Sequence, residues 1–203
     1  MIDQRVYEMF RDIGRDMYLH NLCSSHGGNI SVRFGDRIII KRRGAMLGNL
    51  KPHDLIETGL EKNDSGVALA STELIVHRAI YKVTPALAVV HGHPRRAIAM
   101  SLSRDEIIPI DNEGSYLLKK IPVVEVEFAS GSPQMANTIA DALKSYKIVM
   151  MRGHGSFATG QTLDEAFQWT DALEECCEII FYAKQLNEEM IEYRKHSASY
   201  AKW

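Results

Sequence analysis

The chain has 203 residues, 45% of them hydrophobic and 25% charged, which fits a folded globular chain with a sizeable core. Lys+Arg 24 against Asp+Glu 26 leaves a net charge of −2, so it lacks the basic field that nucleic-acid binders use. No run of about 18 apolar residues is present to span a membrane, and the acidic, amphipathic start MIDQRVYEMFRD does not read as a signal peptide.

In chain order, Val6, Met9, Phe10, Ile13 and Met17 recur at helical spacing and predict a helix over 3–20. A polar loop, SSHGGN at 24–29, precedes two short apolar runs, Ile30–Arg33 and Arg37–Ile40. The FGD at 34–36 between them predicts a hairpin. Residues 41–66 carry Pro52 and several glycines and read as irregular. A second helix is expected from Thr72 to Lys82, with apolar residues at 75, 76, 79, 80 and 83. Ala86 to His91 or His93 is a buried strand stopped by Pro94, followed by a short helix to Leu102.

Residues 107–110 and 121–128 read as strands, and Ser132-Pro133 as the cap and first residue of a helix over 133–145. Lys147–Met151 is another buried strand, running into RGHG at 152–155. Thr162 and Glu165 form a capping box for a long last helix. Its stripe Ala166, Trp169, Leu173, Cys176, Ile180 and Ala183 suits a core or a subunit interface. The tail from about 196 carries Tyr200 and Trp203, which either fray or close over a site. The cysteines are Cys23, Cys176 and Cys177, a sparse, odd set that fits a reducing cytoplasm. Without repeats or linkers, residues 1–203 read as one α/β domain with a mixed sheet.

His91 and His93 stand two apart at a strand end, where side chains at i and i+2 point the same way. His154 follows a second buried strand in a glycine-flanked turn. Three imidazoles with an open fourth position are the pattern of a catalytic zinc site, and other divalent ions also accept nitrogen ligands. Glu73 is the candidate general base. A first-turn glutamate also suits the helix dipole, but with Ser71 as cap the capping-box position would be 74, so that task does not need Glu73. Gly28, Asn29, Arg43, Gly44, Ser71 and Thr72 supply backbone N–H groups, an amide, hydroxyls and a cation. Together they suit a phosphate or carboxylate. Each segment taken alone is equally an ordinary turn, and KRRG at 41–44 an ordinary solvated basic turn.

The ordered set GGNIS, a basic-Gly turn, LKPHD, STE, HGHP and RGHG before a long helix resembles the class II aldolase and adducin family, the group of fuculose-phosphate aldolases and ribulose-phosphate 4-epimerases. The resemblance spans about residues 5–185. It implies a three-layer α/β/α domain with a mainly antiparallel central sheet, usually assembled as a homotetramer with sites at subunit interfaces. It further implies zinc on His91, His93 and His154. Glu73 would be the acid/base and a possible fourth ligand, and Gly28, Asn29, Gly44, Ser71 and Thr72 would receive a phosphate.

The implied reaction is cleavage of a phosphorylated ketose to dihydroxyacetone phosphate and an aldehyde. A sugar-phosphate dehydratase and a hydroxy-carboxylate decarboxylase share the same site chemistry, and a non-catalytic module of the adducin kind would not need the metal ligands. A zinc peptidase is unsupported, for there is no HExxH helix. Three departures stand out. The family's turn usually reads Thr/Ser-Pro-x-Gly, and here Arg43 replaces a small hydroxyl residue. A catalytic tyrosine expected before the IPV strand has no direct match in DNEGSYLL, which leaves Tyr116 or Glu113 as substitutes. The epimerase's aspartate before Ile-Pro is Lys120 here.

Overall fold

The computed structural model describes residues 2–189 and 191–193. Helix α1 (Gln4–Leu19) is capped by Asp3, which accepts the Arg5 backbone N–H at 2.8 Å, and it buries Phe10, Ile13 and Met17 as their spacing predicts. The expected hairpin is β1 (Asn29–Phe34) and β2 (Arg37–Lys41), turning at Gly35-Asp36. The stretch read as irregular contains β3 (Leu55–Gly59), a five-residue strand on the edge of β2, too short to announce itself by periodicity.

Helix α2 (Leu74–Val83) buries Leu74, Val76, His77, Ile80 and Tyr81, while Ile75 and Val83 stay exposed. Its inner face is therefore rotated from the apolar stripe expected at 75, 76, 79, 80 and 83. The cause is that His77 and Tyr81 find hydrogen-bond partners on β1. Strand β4 (Ala88–Gly92) and helix α3 (Arg95–Ser101) follow. The strands expected at 107–110 and 121–128 shrink to β5 (Glu106–Ile107) and β6 (Ile121–Val124); Pro109, with no N–H to donate, ends the first. Between them α4 (Asn112–Leu117) starts where Asp111 accepts the Gly114 N–H at 2.7 Å. Helix α5 (Pro133–Ala142) has the expected Ser132 cap, β7 (Ile148–Met151) the expected core residues, and α6 (Leu163–Leu186) the expected Thr162 cap. Strand β8 (Gly155–Gly160), after the RGHG turn, carried no separate sequence signal.

The described strands form one eight-stranded sheet in the order β3-β2-β1-β4-β8-β7-β6-β5. Neighbours β6 and β7 run parallel and the other pairs antiparallel, so the sheet is mixed, as the residues suggested, the one parallel pair departing from the antiparallel pattern that the resemblance implied. The parallel pair follows from α5, a crossover that brings the chain back in the same direction. Alternation sends Ala88, Val90, Ile148 and Met150 to the α1, α3 and α6 side, and Val89, Val149, Met151 and Phe157 to the α2 and α5 side. The result is one α/β domain of three layers. Each large apolar side chain buried in these two cores contributes about 1.5–3 kcal/mol relative to exposure. Tyr200 and Trp203, read as a possible cover, lie outside the described residues.

Candidate metal centre

Because β1, β4 and β8 are antiparallel neighbours, the start of β1, the end of β4 and the start of β8 share one edge of the sheet. Asn29 pairs with His91 across β1–β4, and Gly92 with Ser156 across β4–β8. His93 and His154 flank that edge. Helix α2 begins over the same edge, with Glu73 as its N-cap residue in place of the Ser71 expected from sequence. The Glu73 carboxylate makes no capping bond, so it reaches the histidines instead.

The ligand nitrogens of His91, His93 and His154 lie within 4.8 Å of one another. Nε2 of His93 is 3.0 Å from Nε2 of His91. Glu73 Oε2 lies 3.1 Å from His91 Nε2, and Oε1 lies 3.5 Å from His154 Nε2. Phe157 stacks under the His91 ring at 4.1 Å between centroids. Gly155 makes room for the cluster: a Cβ there would sit 2.8 Å from the His93 ring and 3.0 Å from that of His91.

A metal ion fits this donor set for a reason in its hydrogen bonds. His91 Nδ1 lies 2.8 Å from the Ser156 carbonyl, which can only accept, so Nδ1 carries the ring proton. Burial holds His91 well below the usual histidine range, with the neighbouring His93 and His154 adding to it, so the ring is neutral and its Nε2 is a bare lone pair. That lone pair faces a carboxylate at 3.1 Å, two acceptors that need a shared cation. With three nitrogens converging there, a divalent ion satisfies them all, and the Ser156 bond is the usual lock on a metal-binding imidazole. Burial lowers His93 as well, keeping it ready to ligate near neutral pH. His154 Nδ1 is buried without a hydrogen-bond partner among the described residues, so that ring lacks the lock Ser156 gives His91.

The histidines open into a cavity of ≈ 210 Å³. Gly28, Asn29, Arg43, Gly44, Ser71, Thr72 and Glu73 all line it, so the fold gathers every anion-site residue read from the sequence. Gly28 has φ +72°, and a Cβ there would press on the His91 carbonyl at 3.0 Å, so glycine is required. Asn29 is buried, and its Nδ2 donates to Glu73 Oε2 at 2.9 Å. Tyr116 is placed elsewhere: it sits on α4, 58% exposed, and does not line this cavity.

The cavity also holds His26, Gly27, Lys41, Arg42 and Ser130, none of which was singled out. Lys41 is the instructive one. It is 3% exposed, and its ammonium donates to the carbonyls of His26 (2.8 Å) and Gly28 (2.9 Å), so it closes the glycine loop rather than sitting in solvent. The alternation of β2, with Ile38 and Ile40 on one face, was the signal that Lys41 ends a buried strand. A larger groove of ≈ 580 Å³ between α2 and α5 contains no histidine, and its Asp141–Lys144 contact is an exposed ion pair between residues three apart.

A layered α/β domain carrying three converging histidines, a buried carboxylate and an anion-suited cavity defines a class of metal-dependent enzyme. The chain belongs to the class II aldolase and adducin family, matching the family model "Class II Aldolase and Adducin N-terminal domain" over residues 8–181. It is similar to an L-fuculose phosphate aldolase of Methanocaldococcus jannaschii, 30% identical over 83% of this chain and 91% of the relative. It is also similar to a 3-oxo-tetronate 4-phosphate decarboxylase of Haemophilus influenzae, 29% identical over 89% of each. The crystal structure of L-fuculose-1-phosphate aldolase from Thermus thermophilus superposes with a TM-score of 0.87 at 35% identity, covering 93% of this chain and 100% of that one. Among the described residues, no helix is long and apolar enough to cross a membrane.

Proposed function

We propose that the chain is a zinc-dependent lyase of the aldolase type, cleaving a phosphorylated ketose to dihydroxyacetone phosphate and an aldehyde. The observation that carries this is Glu73, buried between His91 and His154 and sharing one cavity with the anion-binding loops. Zinc, or another divalent ion, held by His91, His93 and His154 with Glu73 as a possible fourth ligand, supplies a Lewis acid for the negative charge that builds on substrate oxygens as the carbon–carbon bond breaks.

The other work falls to the chain's own groups. The backbone of Gly28 and Gly44 and the hydroxyls and N–H groups of Ser71 and Thr72, at the start of α2, seat the phosphate. Arg43 adds a cation at the rim. Glu73 takes the hydroxyl proton from the carbon that becomes the aldehyde and returns it to the carbon left with the electron pair. Tyr116, off the cavity of its own chain, reaches reacting atoms only if another copy presents it. The reading therefore includes a homotetramer with sites at its interfaces. Three unpaired, buried cysteines suit the reducing cytoplasm in which we place it.

One observation favours a second reading. Arg42 and Arg43 both line the cavity rim, a pair of cations suited to a substrate that carries a carboxylate as well as a phosphate. That substrate class belongs to a decarboxylase, the activity named for the relative from H. influenzae. The test is a panel of ketose phosphates and 3-oxo-acid phosphates offered to zinc-loaded protein, reading aldehyde and carbon dioxide release. Aldehyde release supports the aldolase, carbon dioxide the second reading, and neither overturns both.

A further inference from the structure

On α2 the residues Glu73, His77 and Tyr81 stand four apart and share one helix face; on β1 Asn29 and Ser31 stand two apart and share one sheet face. The two polar stripes meet. Asn29 Nδ2 is 2.9 Å from Glu73 Oε2, His77 Nε2 is 2.5 Å from Asn29 Oδ1, Ser31 Oγ is 2.6 Å from His77 Nδ1, and the Tyr81 hydroxyl lies 2.8 Å from Ser31 Oγ and 3.0 Å from its carbonyl. His77 is wholly buried, its ring edge against Phe157, which stacks on His91.

The direction of every bond follows from the carboxylate. Glu73 only accepts, so Asn29 must present its NH₂ to it and its carbonyl to His77. That carbonyl only accepts, so His77 carries its proton on Nε2. Burial holds His77 down at about 3, so the ring is neutral and Nδ1 accepts from the Ser31 hydroxyl. Tyr81, raised by burial, keeps its proton and donates to Ser31. Three donors in series, Ser31, His77 and Asn29, thus point at one oxygen of Glu73, each polarising the next, and the single Tyr81 proton is shared between the Ser31 hydroxyl and carbonyl.

We propose that His77 is a positioning residue for Glu73, acting through Asn29: it fixes the amide so that Oε2 is pinned and Oε1 is left for the chemistry. The assignment rests on the lyase reading above for its kinetic consequence but not for its geometry. An apolar side chain would fill the same space without burying polar atoms, so packing alone does not explain a histidine here.

The test uses the full-length, metal-loaded protein. In a His77→Leu variant kcat falls about 10–100-fold, the range expected for the loss of an outer-shell partner. KM stays within about threefold and metal content holds, while the melting temperature falls by a few degrees because the buried Asn29 carbonyl and Ser31 hydroxyl lose their partner. His77→Gln, whose amide N–H reaches the same acceptor, recovers most of the rate. Wild-type kcat in the leucine variant overturns the proposal, as does a loss that glutamine leaves unrestored. Selective ¹⁵N-histidine labelling reads the tautomer independently of any substrate: a neutral Nε2–H ring is expected for His77, and an Nδ1–H ring overturns the proposal. If wild-type protein turns over no candidate substrate, the lyase reading falls while the tautomer still decides the relay.

Discussion

On the inner wall of the cavity Glu73, Asn29 and His91 are 4%, 6% and 0% exposed, and each stands at the end of a strand or the start of a helix. On the rim Arg42, Arg43 and Gly44 are exposed and occupy a turn between β2 and the next short helix. The inner groups cannot shift without disturbing strand pairing, and each is hydrogen-bonded to a partner that is itself fixed. The rim backbone is held too, Arg42 N–H donating to the Asp54 carbonyl at 2.7 Å and Arg43 N–H to that of Leu69 at 2.9 Å, but the exposed arginine side chains answer mainly to solvent and substrate. A rigid wall suits the bond-breaking step, which relatives of different activity can share. A rim of exposed side chains suits the part of the substrate in which they differ.

Changes on the two walls should therefore differ in kind as well as size. The largest effect is expected from His93→Ala, which removes a metal ligand: metal analysis should show loss of the bound ion, and turnover should vanish. Retained metal at the wild-type ratio would refute the ligand assignment. Next comes Glu73→Gln, which keeps the ion but lowers turnover by about 10²–10⁴-fold, as for a lost general base; full activity would remove Glu73 from that role.

On the rim, Arg43→Ala should raise KM by about tenfold with kcat little changed, the low end of a charge-assisted hydrogen bond made in water. If the substrate also bears a carboxylate, replacing Arg42 and Arg43 together should weaken it more than a substrate with phosphate alone, which steady-state kinetics on the two classes would show. A drop in kcat instead of a rise in KM would erase the distinction between the walls.

The smallest effect at neutral pH concerns the support behind the inner wall. His77 is held neutral in the folded chain down to about 3, whereas an unfolded histidine protonates near 6.5. Below pH 6.5 the unfolded state binds the extra proton. The stability His77 contributes is therefore complete above 6.5 and is lost as pH falls toward 3, by about 1.4 kcal/mol per pH unit. Denaturant unfolding from pH 7 to 4 should show a flatter acid slope in His77→Leu than in the wild type, with the two slopes alike above pH 7.

The same contrast explains what could be read in advance. Phe10, Ile13 and Met17 announce α1, and Ser132-Pro133 and Thr162 announce the starts of α5 and α6, because periodicity and caps are local. His91 and His93 are legible as a pair because a strand's period is two. Lys41 was not, because a cation beside two arginines looks like a solvated turn until the SSHGGN loop closes over it. Strands β3 and β8 were missed because pairing with β2, β4 and β7 makes them strands, and pairing partners are remote in sequence.

By itself, then, the sequence singled out the three candidate histidines, the carboxylate candidate, the candidate anion-site segments and most helices, all consequences of residue type and short-range spacing. Only the tertiary structure decided that Glu73 stands at the N-cap of α2 yet turns its carboxylate to the histidines, that α2 turns His77 and Tyr81 inward onto Asn29 and Ser31, and that Tyr116 stands apart. Those outcomes depend on which face of α2 meets which face of β1. That choice is made by long-range packing and by the satisfaction of buried polar groups, neither of which is written at any one place along the chain.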